Sequence, residues 1–259
     1  MLNRLFTSRP RAQAVEIERS VPPGSRVYAI GDIHGRADLL AALHEKLKED
    51  ARQHDCERRS VVYLGDYVDR GLQSREVIDL LLDAPLEGFE SVHLMGNHED
   101  FMLRFLEEPK SGPGWFMNGG GATLYSYGVR MPSRGTDASR LSDLGAQLRA
   151  NLPPRHLDFL NGLKRWHIEG DYYFVHAGVR PGVPLEEQRE EDILWIRELF
   201  LDDPGEHGKM VIHGHTIMPE PVVRPNRIGI DTGAYATGVL TSLVLEGNKR
   251  SFLQTSARL

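Results

Sequence analysis

The sequence predicts an α/β fold of the mixed α+β kind, in which strands and helices alternate in the first half and strands dominate the second half. Three short apolar runs, at 26–30, 61–64 and 91–95, each lead into a polar loop and then into an amphipathic segment. Strand–loop–helix units in succession predict parallel strands joined by helical crossovers. The length of 259 residues is within the range of one α/β domain with a large sheet system.

The helices of the first half are predicted from apolar side chains that recur three or four residues apart. The predicted helices are 37–51 with Leu39, Leu40, Leu43 and Leu47 on one face, 74–82 with Val77, Ile78, Leu81 and Leu82, and a third that carries Phe101, Met102 and Phe105. Each of them follows a strand and its polar loop, so each is a crossover to the next strand.

The middle of the chain differs in composition. Residues 109–121 are rich in glycine and proline and include Trp115 and Phe116, which predicts a loop that is neither helix nor strand. The loop could lie on the surface or beside a substrate, and its role stays open. Two helices are predicted after it, at 137–152 and 155–163. We interpret 109–163 as a helical insertion within a single domain that spans 25–259.

The second half of the chain is predicted to be mostly strands. Gly170-Asp171 is a two-residue hairpin signal between apolar runs, and Gly247-Asn248 separates two further runs. The predicted elements are strands at 165–169 and 172–175, a charged helix around 191–201, strands at 210–212 and 228–230, and a terminal antiparallel pair at 239–246 and 251–254.

Composition limits the functional classes. The formal net charge of -6 argues against a general nucleic-acid partner, and no stretch of eighteen apolar residues indicates a membrane span. The single cysteine, Cys56, fits a reducing compartment, so the cytoplasm is the expected location. Residues 1–24 are basic, have too short an apolar run for a signal peptide, and are predicted to form a poorly ordered or peripheral leader.

Residues with ligand chemistry follow directly after the predicted strands and are flanked by glycine. They are Asp32, His34, Asp66, Asn97, His176 and His215. Oxygen and imidazole donors suit divalent ions such as Mn²⁺, Fe²⁺ or Zn²⁺. Six donors exceed what one tetrahedral ion requires, and they fit two ions about 3.5–4 Å apart that share a bridging carboxylate.

These motifs resemble those of a known family. The segments Gly31-Asp32-Ile33-His34-Gly35, Gly65-Asp66-Tyr67-Val68-Asp69-Arg70-Gly71, Gly96-Asn97-His98-Glu99, His176-Ala177-Gly178 and Gly214-His215-Thr216 resemble the motifs of the phosphoprotein phosphatases, which are calcineurin-like metallophosphoesterases. The resemblance is to the compact bacterial and phage serine/threonine protein phosphatases. It implies a β-sandwich of two mixed sheets flanked by helices, with a binuclear metal site at the strand ends.

The resemblance also implies a role for each residue. The first ion would be bound by Asp32 and His34, the second by Asn97, His176 and His215, and Asp66 would bridge the two. His98 would be the general acid, oriented by Asp69. The substrate phosphate would be held by Arg70, Arg197 and Asn97, although the motif around Arg197 is short. The expected ions are Mn²⁺, with Fe or Zn as alternatives.

The implied activity is removal of phosphate from phosphoserine or phosphothreonine in a protein or peptide, with phosphotyrosine left open. The two cations would acidify a bridging water, and the resulting hydroxide would attack phosphorus directly. The alternative is a symmetrical diadenosine tetraphosphate hydrolase. Asp69 and Glu99 favour the phosphatase, because such hydrolases usually lack the first carboxylate and have aspartate at the second position.

Two further features of the sequence bear on partners and ligands. Residues 231–234 do not match the tyrosine-bearing substrate loop of eukaryotic phosphatases, so no regulatory subunit is evident. His213 lies two residues before His215, on the same side of the predicted strand, and its role stays open.

Overall fold

The computed structural model describes residues 18–131 and 137–256. These residues form ten strands: β1 (Ser25–Ile30), β2 (Arg58–Tyr63), β3 (Glu90–His93), β4 (Trp166–Glu169), β5 (Tyr172–Val175), β6 (Met210–His213), β7 (Val222–Val223), β8 (Arg227–Gly229), β9 (Thr241–Glu246) and β10 (Lys249–Gln254). They also form ten α-helices: α1 (Ala37–Arg52), α2 (Ser74–Asp83), α3 (Asn97–Glu107), α4 (Gly112–Met117), α5 (Gly120–Ser126), α6 (Ala138–Asn151), α7 (Pro154–Asn161), α8 (Glu190–Trp195), α9 (Glu198–Leu201) and α10 (Ala234–Thr237).

The strands form two mixed sheets of five. The first has the order β10-β9-β1-β2-β3, with β1, β2 and β3 parallel and the β9–β10 hairpin antiparallel. The second has the order β4-β5-β6-β8-β7, with β5, β6 and β8 parallel and β4 and β7 antiparallel at its edges. The parallel strands and both hairpins confirm the predicted α/β arrangement.

The two sheets pack face to face. Side chains from β1, β2 and β9 on one sheet meet those from β5, β6 and β8 on the other in a dry apolar layer, which includes Val27, Val62, Leu243, Phe174 and Ile212. The opposite face of the first sheet is covered by α1 and α2. This is the β-sandwich flanked by helices that the family resemblance implied.

The prediction of a loop at 109–121 is wrong, because the segment contains α4 and the start of α5. Proline in the first turn of α4 costs no hydrogen bond there, and Trp115 is completely buried. Glycine disfavours a helix by only about 1 kcal/mol per residue, which the burial of one large aromatic side chain outweighs. The two helices predicted after this loop correspond to α6 and α7.

Other local differences follow from the tertiary structure. The single helix predicted around 191–201 is two short helices, because the backbone at Arg197 is not helical (φ -133°, ψ -106°). The short elements β7 and α10 were not predicted. Most of the leader, residues 1–17, lies outside the described residues. Its last part is not peripheral, because Val21 is buried and its N–H donates to the carbonyl of Gly247 at 3.0 Å.

Candidate metal centre and active site

The ligand-type residues lie where the two sheets bring the ends of their parallel strands together. His34, Asp66, His176 and His215 come from the loops after β1, β2, β5 and β6. Within the two groups His34–Asp66–His98 and Asp66–His176–His215, donor atoms lie within 4.8 Å of one another. The two groups share Asp66, as a bridging ligand requires. These His and Asp groups are suited to a divalent metal ion.

Asp66 directs one carboxylate oxygen towards each group. Its Oδ1 lies 3.4 Å from His176 Nε2, and its Oδ2 lies 3.5 Å from His34 Nε2. Both imidazoles donate their other ring N–H to a backbone carbonyl, His34 to Val68 and His176 to Leu64, each at 2.9 Å. This bond fixes the tautomer and leaves Nε2 free to coordinate an ion. Asn97 Oδ1 lies 2.8 Å from His176 Nε2, beside the second group.

On the other side of the centre, the carboxylates of Asp32 and Asp231 are buried and repel each other. Asp32 accepts the N–H of His215, at 3.1 and 3.2 Å from its two oxygens. Burial raises the pKa of Asp32 well above its ordinary value, and repulsion from Asp231 and Asp66 adds to it. His215 Nε2 and Asp231 Oδ2 are buried without a hydrogen-bond partner. Divalent cations would coordinate these two unpaired atoms and neutralise the closely spaced carboxylates. The side chains of this centre therefore fit the predicted ions.

Asp231 is a site residue that the sequence reasoning missed. Its carboxylate is 3% exposed, and Oδ1 accepts the N–H of Gly233 at 2.9 Å. It stands two residues after the end of β8 and two residues before Gly233, a strand-end context like that of the predicted ligands. The same signal could therefore have found it.

The backbone of the centre is held in an unusual conformation. Among the described residues, the non-glycine residues with positive φ all belong to the predicted site: His34, Asp66, Asp69, Arg70 and His215. Left-handed backbone costs these residues of order 1–3 kcal/mol each, so the surrounding fold must stabilise it. Strain concentrated in this way marks the strand-end loops as a functional site.

Glu99 stabilises the loop that carries Asp66. Its buried carboxylate accepts backbone N–H groups of Asp66, Tyr67, Val68 and Gly96 at 2.8–3.2 Å. The last of these is the N-cap of α3, so one side chain joins the helix start to the β2 loop. A Cβ atom at Gly96 would collide with the Asp66 carboxylate, and only glycine allows this approach.

His98, a member of the first group, also pairs with Asp69 at the edge of the metal centre. His98 Nδ1 lies 2.6 Å from Asp69 Oδ2, and both side chains are buried. Burial acts to lower the pKa of His98, but the Asp66 and Asp69 carboxylates outweigh it and raise the pKa above its ordinary value. The pair therefore favours a protonated imidazole. His98 Nε2 is 3.8 Å from Asp66 Oδ2, so it faces the centre.

The two predicted phosphate arginines lie at the rim. Arg70 is half-buried, and its Nη2 is 3.4 Å from His98 Nε2. Arg197 is exposed at the break between α8 and α9, and its charge acts on His176 and His215. Both positions leave guanidinium groups available to an anion in the centre.

Tyr235, directly after residues 231–234, lies beside the predicted site residues. Tyr235 is half-buried, its ring lies 4.8 Å from the Arg70 guanidinium carbon, and its edge contacts His34 with ring centroids 5.5 Å apart. Tyr235 lies in α10, which places its ring next to Arg70 and His34.

His213 belongs to neither ligand group of the described residues. Its ring packs edge-on against Phe200 with centroids 5.2 Å apart and lies close under Gly229. Burial lowers the pKa of His213 to about 3, so it is a neutral core residue.

In the described residues, no helix is both long and apolar enough to cross a membrane.

Comparison with known proteins agrees with this geometry. The chain is 28% identical over 236 residues to the bis(5'-nucleosyl)-tetraphosphatase PrpE [asymmetrical] of Bacillus subtilis, covering 82% of this chain and 87% of that protein. It is 26% identical over 224 residues to serine/threonine-protein phosphatase 2 of Salmonella typhimurium, covering 83% and 90%. The solved cold-active protein-tyrosine phosphatase of a psychrophilic Shewanella shares the fold, with a TM-score of 0.55, 18% identity and coverage of 99% and 89%.

The sequence also matches a family as a whole. Residues 25–238 match the calcineurin-like phosphoesterases, which is most of the chain and includes every predicted site residue. The relatives include phosphatases of the type that the motifs resemble. The chain therefore belongs to the calcineurin-like phosphoesterase family, and it is a metallophosphoesterase hydrolase.

Proposed function

We propose that this protein is a binuclear, metal-dependent phosphomonoesterase that removes phosphate from phosphoserine and phosphothreonine in proteins or peptides. The observation that carries the proposal is the buried His98–Asp69 pair, joined at 2.6 Å beside the metal centre. A serine or threonine alkoxide is a poor leaving group and needs a proton as the P–O bond breaks. A histidinium that is charged near neutral pH supplies that proton.

The metal centre supports the same reaction. Asp32 and His34 would hold one ion, Asn97, His176 and His215 the other, and the two oxygens of Asp66 would contact both. When bound, divalent ions supply an acidified water and neutralise charge on the phosphoryl group. Mn²⁺ is the proposed ion, because mixed carboxylate, amide and imidazole donors suit it.

The remaining residues act on the substrate. Arg70 and Arg197 would hold the phosphoryl oxygens and balance the charge that develops in the transition state, with Asn97 at the same edge. His98 then donates its Nε2 proton to the departing alkoxide oxygen. The Asp69 carboxylate holds the opposite ring nitrogen and stabilises the imidazolium before the transfer.

Hydrolysis of a dinucleoside tetraphosphate is a second candidate, favoured by the identity to the PrpE protein. Its leaving group is a nucleotide, which departs through an anionic phosphate oxygen without needing a proton. The His98–Asp69 pair would contribute little to the rate of that reaction, and we therefore rank dinucleotide hydrolysis second.

The deciding experiment compares kcat/KM of Mn²⁺-supplied protein on a phosphoserine peptide, a phosphotyrosine peptide and diadenosine tetraphosphate. The phosphoserine peptide should be preferred to the dinucleotide by at least about tenfold, since the acid contributes ~10²–10⁴-fold only where it is needed. A preference for the dinucleotide, together with indifference to His98→Asn, would replace the first function by the second.

A further inference from the structure

The carboxylate of Asp69 is held by more than the histidine that it orients. Its Oδ2 also accepts the indole N–H of Trp115 at 2.8 Å, and its Oδ1 accepts the hydroxyl of Thr123 at 2.6 Å. All three side chains are completely buried. Trp115 and Thr123 lie in α4 and α5, 46 and 54 residues along the chain from Asp69. Two donors from the helical insertion therefore reach the acid pair.

Thr123 also holds the backbone of Asp69. The N–H of Asp69 donates to Thr123 Oγ1 at 2.8 Å and to Ser74 Oγ at 3.0 Å. Because a hydroxyl has one proton and two lone pairs, Thr123 can accept at the backbone while it donates to Oδ1. The backbone there is left-handed, with φ 73°. One side chain thus stabilises a strained residue and orients its carboxylate.

The position of Trp115 is fixed by its neighbours. The indole ring lies against Gly120, where a Cβ atom would approach ring atoms Cδ2 and Cε2 to 2.5 Å. On its other side the ring packs on Phe105, with centroids 5.1 Å apart. Between the two helices, the carbonyl of Gly119 accepts the N–H of Arg70 at 3.3 Å. The insertion therefore contacts both the acid pair and a phosphate arginine.

We propose that Trp115 and Thr123 are positioning residues for proton donation by His98. They bind both carboxylate oxygens of Asp69, so the carboxylate cannot rotate away from the imidazole and the imidazole keeps its Nε2 towards the leaving oxygen. The inference rests on the proposed function, in which His98 is the acid. Loss of an outer hydrogen-bond partner of a metal-ligating histidine typically costs ~10–100-fold in metal affinity or activity, and we expect a loss of that order here, where the partners hold Asp69.

The kinetic test uses phosphate esters whose leaving groups range from p-nitrophenol to an aliphatic alcohol. Trp115→Phe keeps an aromatic ring, although a smaller one, and removes the N–H, and Thr123→Val keeps the shape but removes the hydroxyl. Each should lower kcat on the alcohol ester by about 10–100-fold, with little change in KM and a much smaller loss on p-nitrophenyl phosphate. Thr123→Ser should restore the rate. Equal losses on all esters would overturn the proposal in favour of a structural role.

Two controls separate positioning from folding. Trp166→Phe removes an indole from the edge strand β4 and should leave every rate unchanged. In the Asp69→Asn background, Trp115→Phe should cost little more, because residues that act through one group are not additive. A full additional loss in that background would mean that Trp115 acts elsewhere, and would also overturn the proposal.

A spectroscopic readout needs no substrate. The chain has three tryptophans, so Trp115→Phe assigns its indole resonance directly. That N–H should exchange slowly with deuterium and should shift in Thr123→Val and Asp69→Asn. The His98 Nδ1 proton, which a 2.6 Å hydrogen bond places far downfield, should broaden in Trp115→Phe and persist in Trp166→Phe.

The two proposals can fail separately. If the His98 proton is unchanged in Trp115→Phe and in Thr123→Val, the positioning role is wrong whatever the substrate. If these resonances behave as expected but the wild-type protein hydrolyses no phosphate monoester, the proposed function is wrong and the arrangement around Asp69 stands.

Discussion

Asp231→Asn should stabilise the metal-free protein and should lose most of that advantage when metal is bound. Burial first, and repulsion from Asp66 in addition, raise the pKa of Asp231 to about 6. A carboxylate with a raised folded pKa destabilises the folded state increasingly as pH rises from its unfolded pKa to its folded pKa, and the full penalty remains above that. Relative to an ordinary value of about 3.9 for aspartate, the penalty at pH 7.5 is about 3 kcal/mol. Asparagine has a similar shape and does not carry that charge.

The magnitude translates into a measurable shift. For a domain of this size, 1 kcal/mol moves Tm by about 2–4 °C, so metal-free Asp231→Asn should melt about 6–12 °C above wild type. With Mn²⁺ in excess this advantage should largely disappear, because a ligand present at a hundred times its Kd stabilises wild type by about 2.7 kcal/mol, and the variant, which lacks charge that attracts the ions, gains less.

The assay is thermal unfolding followed by circular dichroism at pH 7.5, in EDTA and in MnCl₂. Asp158→Asn, at an exposed position on α7, is the matched control and should change neither Tm. If Asp231→Asn melts with wild type in EDTA, or gains as much in MnCl₂ as in EDTA, the reasoning from buried repulsion is refuted.

Three further predictions concern the acid, the phosphate arginine and the core. His98→Asn should lower kcat on a phosphoserine peptide by ~10²–10⁴-fold with a clearly smaller loss on p-nitrophenyl phosphate; equal losses with loss of metal would make His98 a ligand. In Arg70→Lys, the lysine cannot bind an oxyanion bidentately, so one charged hydrogen bond worth about 1.5–3 kcal/mol is lost and kcat/KM should fall by roughly 10–150-fold. An unchanged kcat/KM would mean that Arg70 does not bind the substrate phosphate. Burial lowers the pKa of His44 to about 4, and its Nε2 lies 2.9 Å from the Tyr63 hydroxyl, so unfolding takes up a proton and stability falls as pH drops from about 6.5 to 4. His44→Gln should flatten that slope in urea titrations by up to about 1.4 kcal/mol per pH unit, and an unchanged slope would refute this role of His44.

The strand-end residues could be predicted because their signal is local. An apolar run followed by glycine and a carboxylate or histidine fixes the element, its end and the edge of the sheet at which the side chain stands. This reasoning placed Asp32, Asp66 and His176 where the structure has them. It would also have found Asp231, which has the same context but matched none of the motifs quoted for the family.

The surroundings of the acid pair could not be predicted in this way. The bonds from Trp115 and Thr123 to Asp69 join positions far apart in the chain, and nothing in the intervening sequence indicates the contact. The glycines of 109–121 also indicated that this segment is not helical, although Gly120 is required where α5 packs on the Trp115 ring. Only tertiary packing shows why this segment folds as it does.

The central claim is that phosphate-ester hydrolysis depends on divalent ions held around Asp66. The most direct measurement strips the protein with a chelator, adds Mn²⁺ in steps, and follows bound metal and phosphopeptide turnover in the same samples. We expect no turnover in the stripped protein, two ions per chain at saturation, and activity that rises with occupancy. Asp66→Asn should bind less metal and regain little activity. Full turnover by metal-stripped wild type, or two tightly bound ions in Asp66→Asn, would contradict the account.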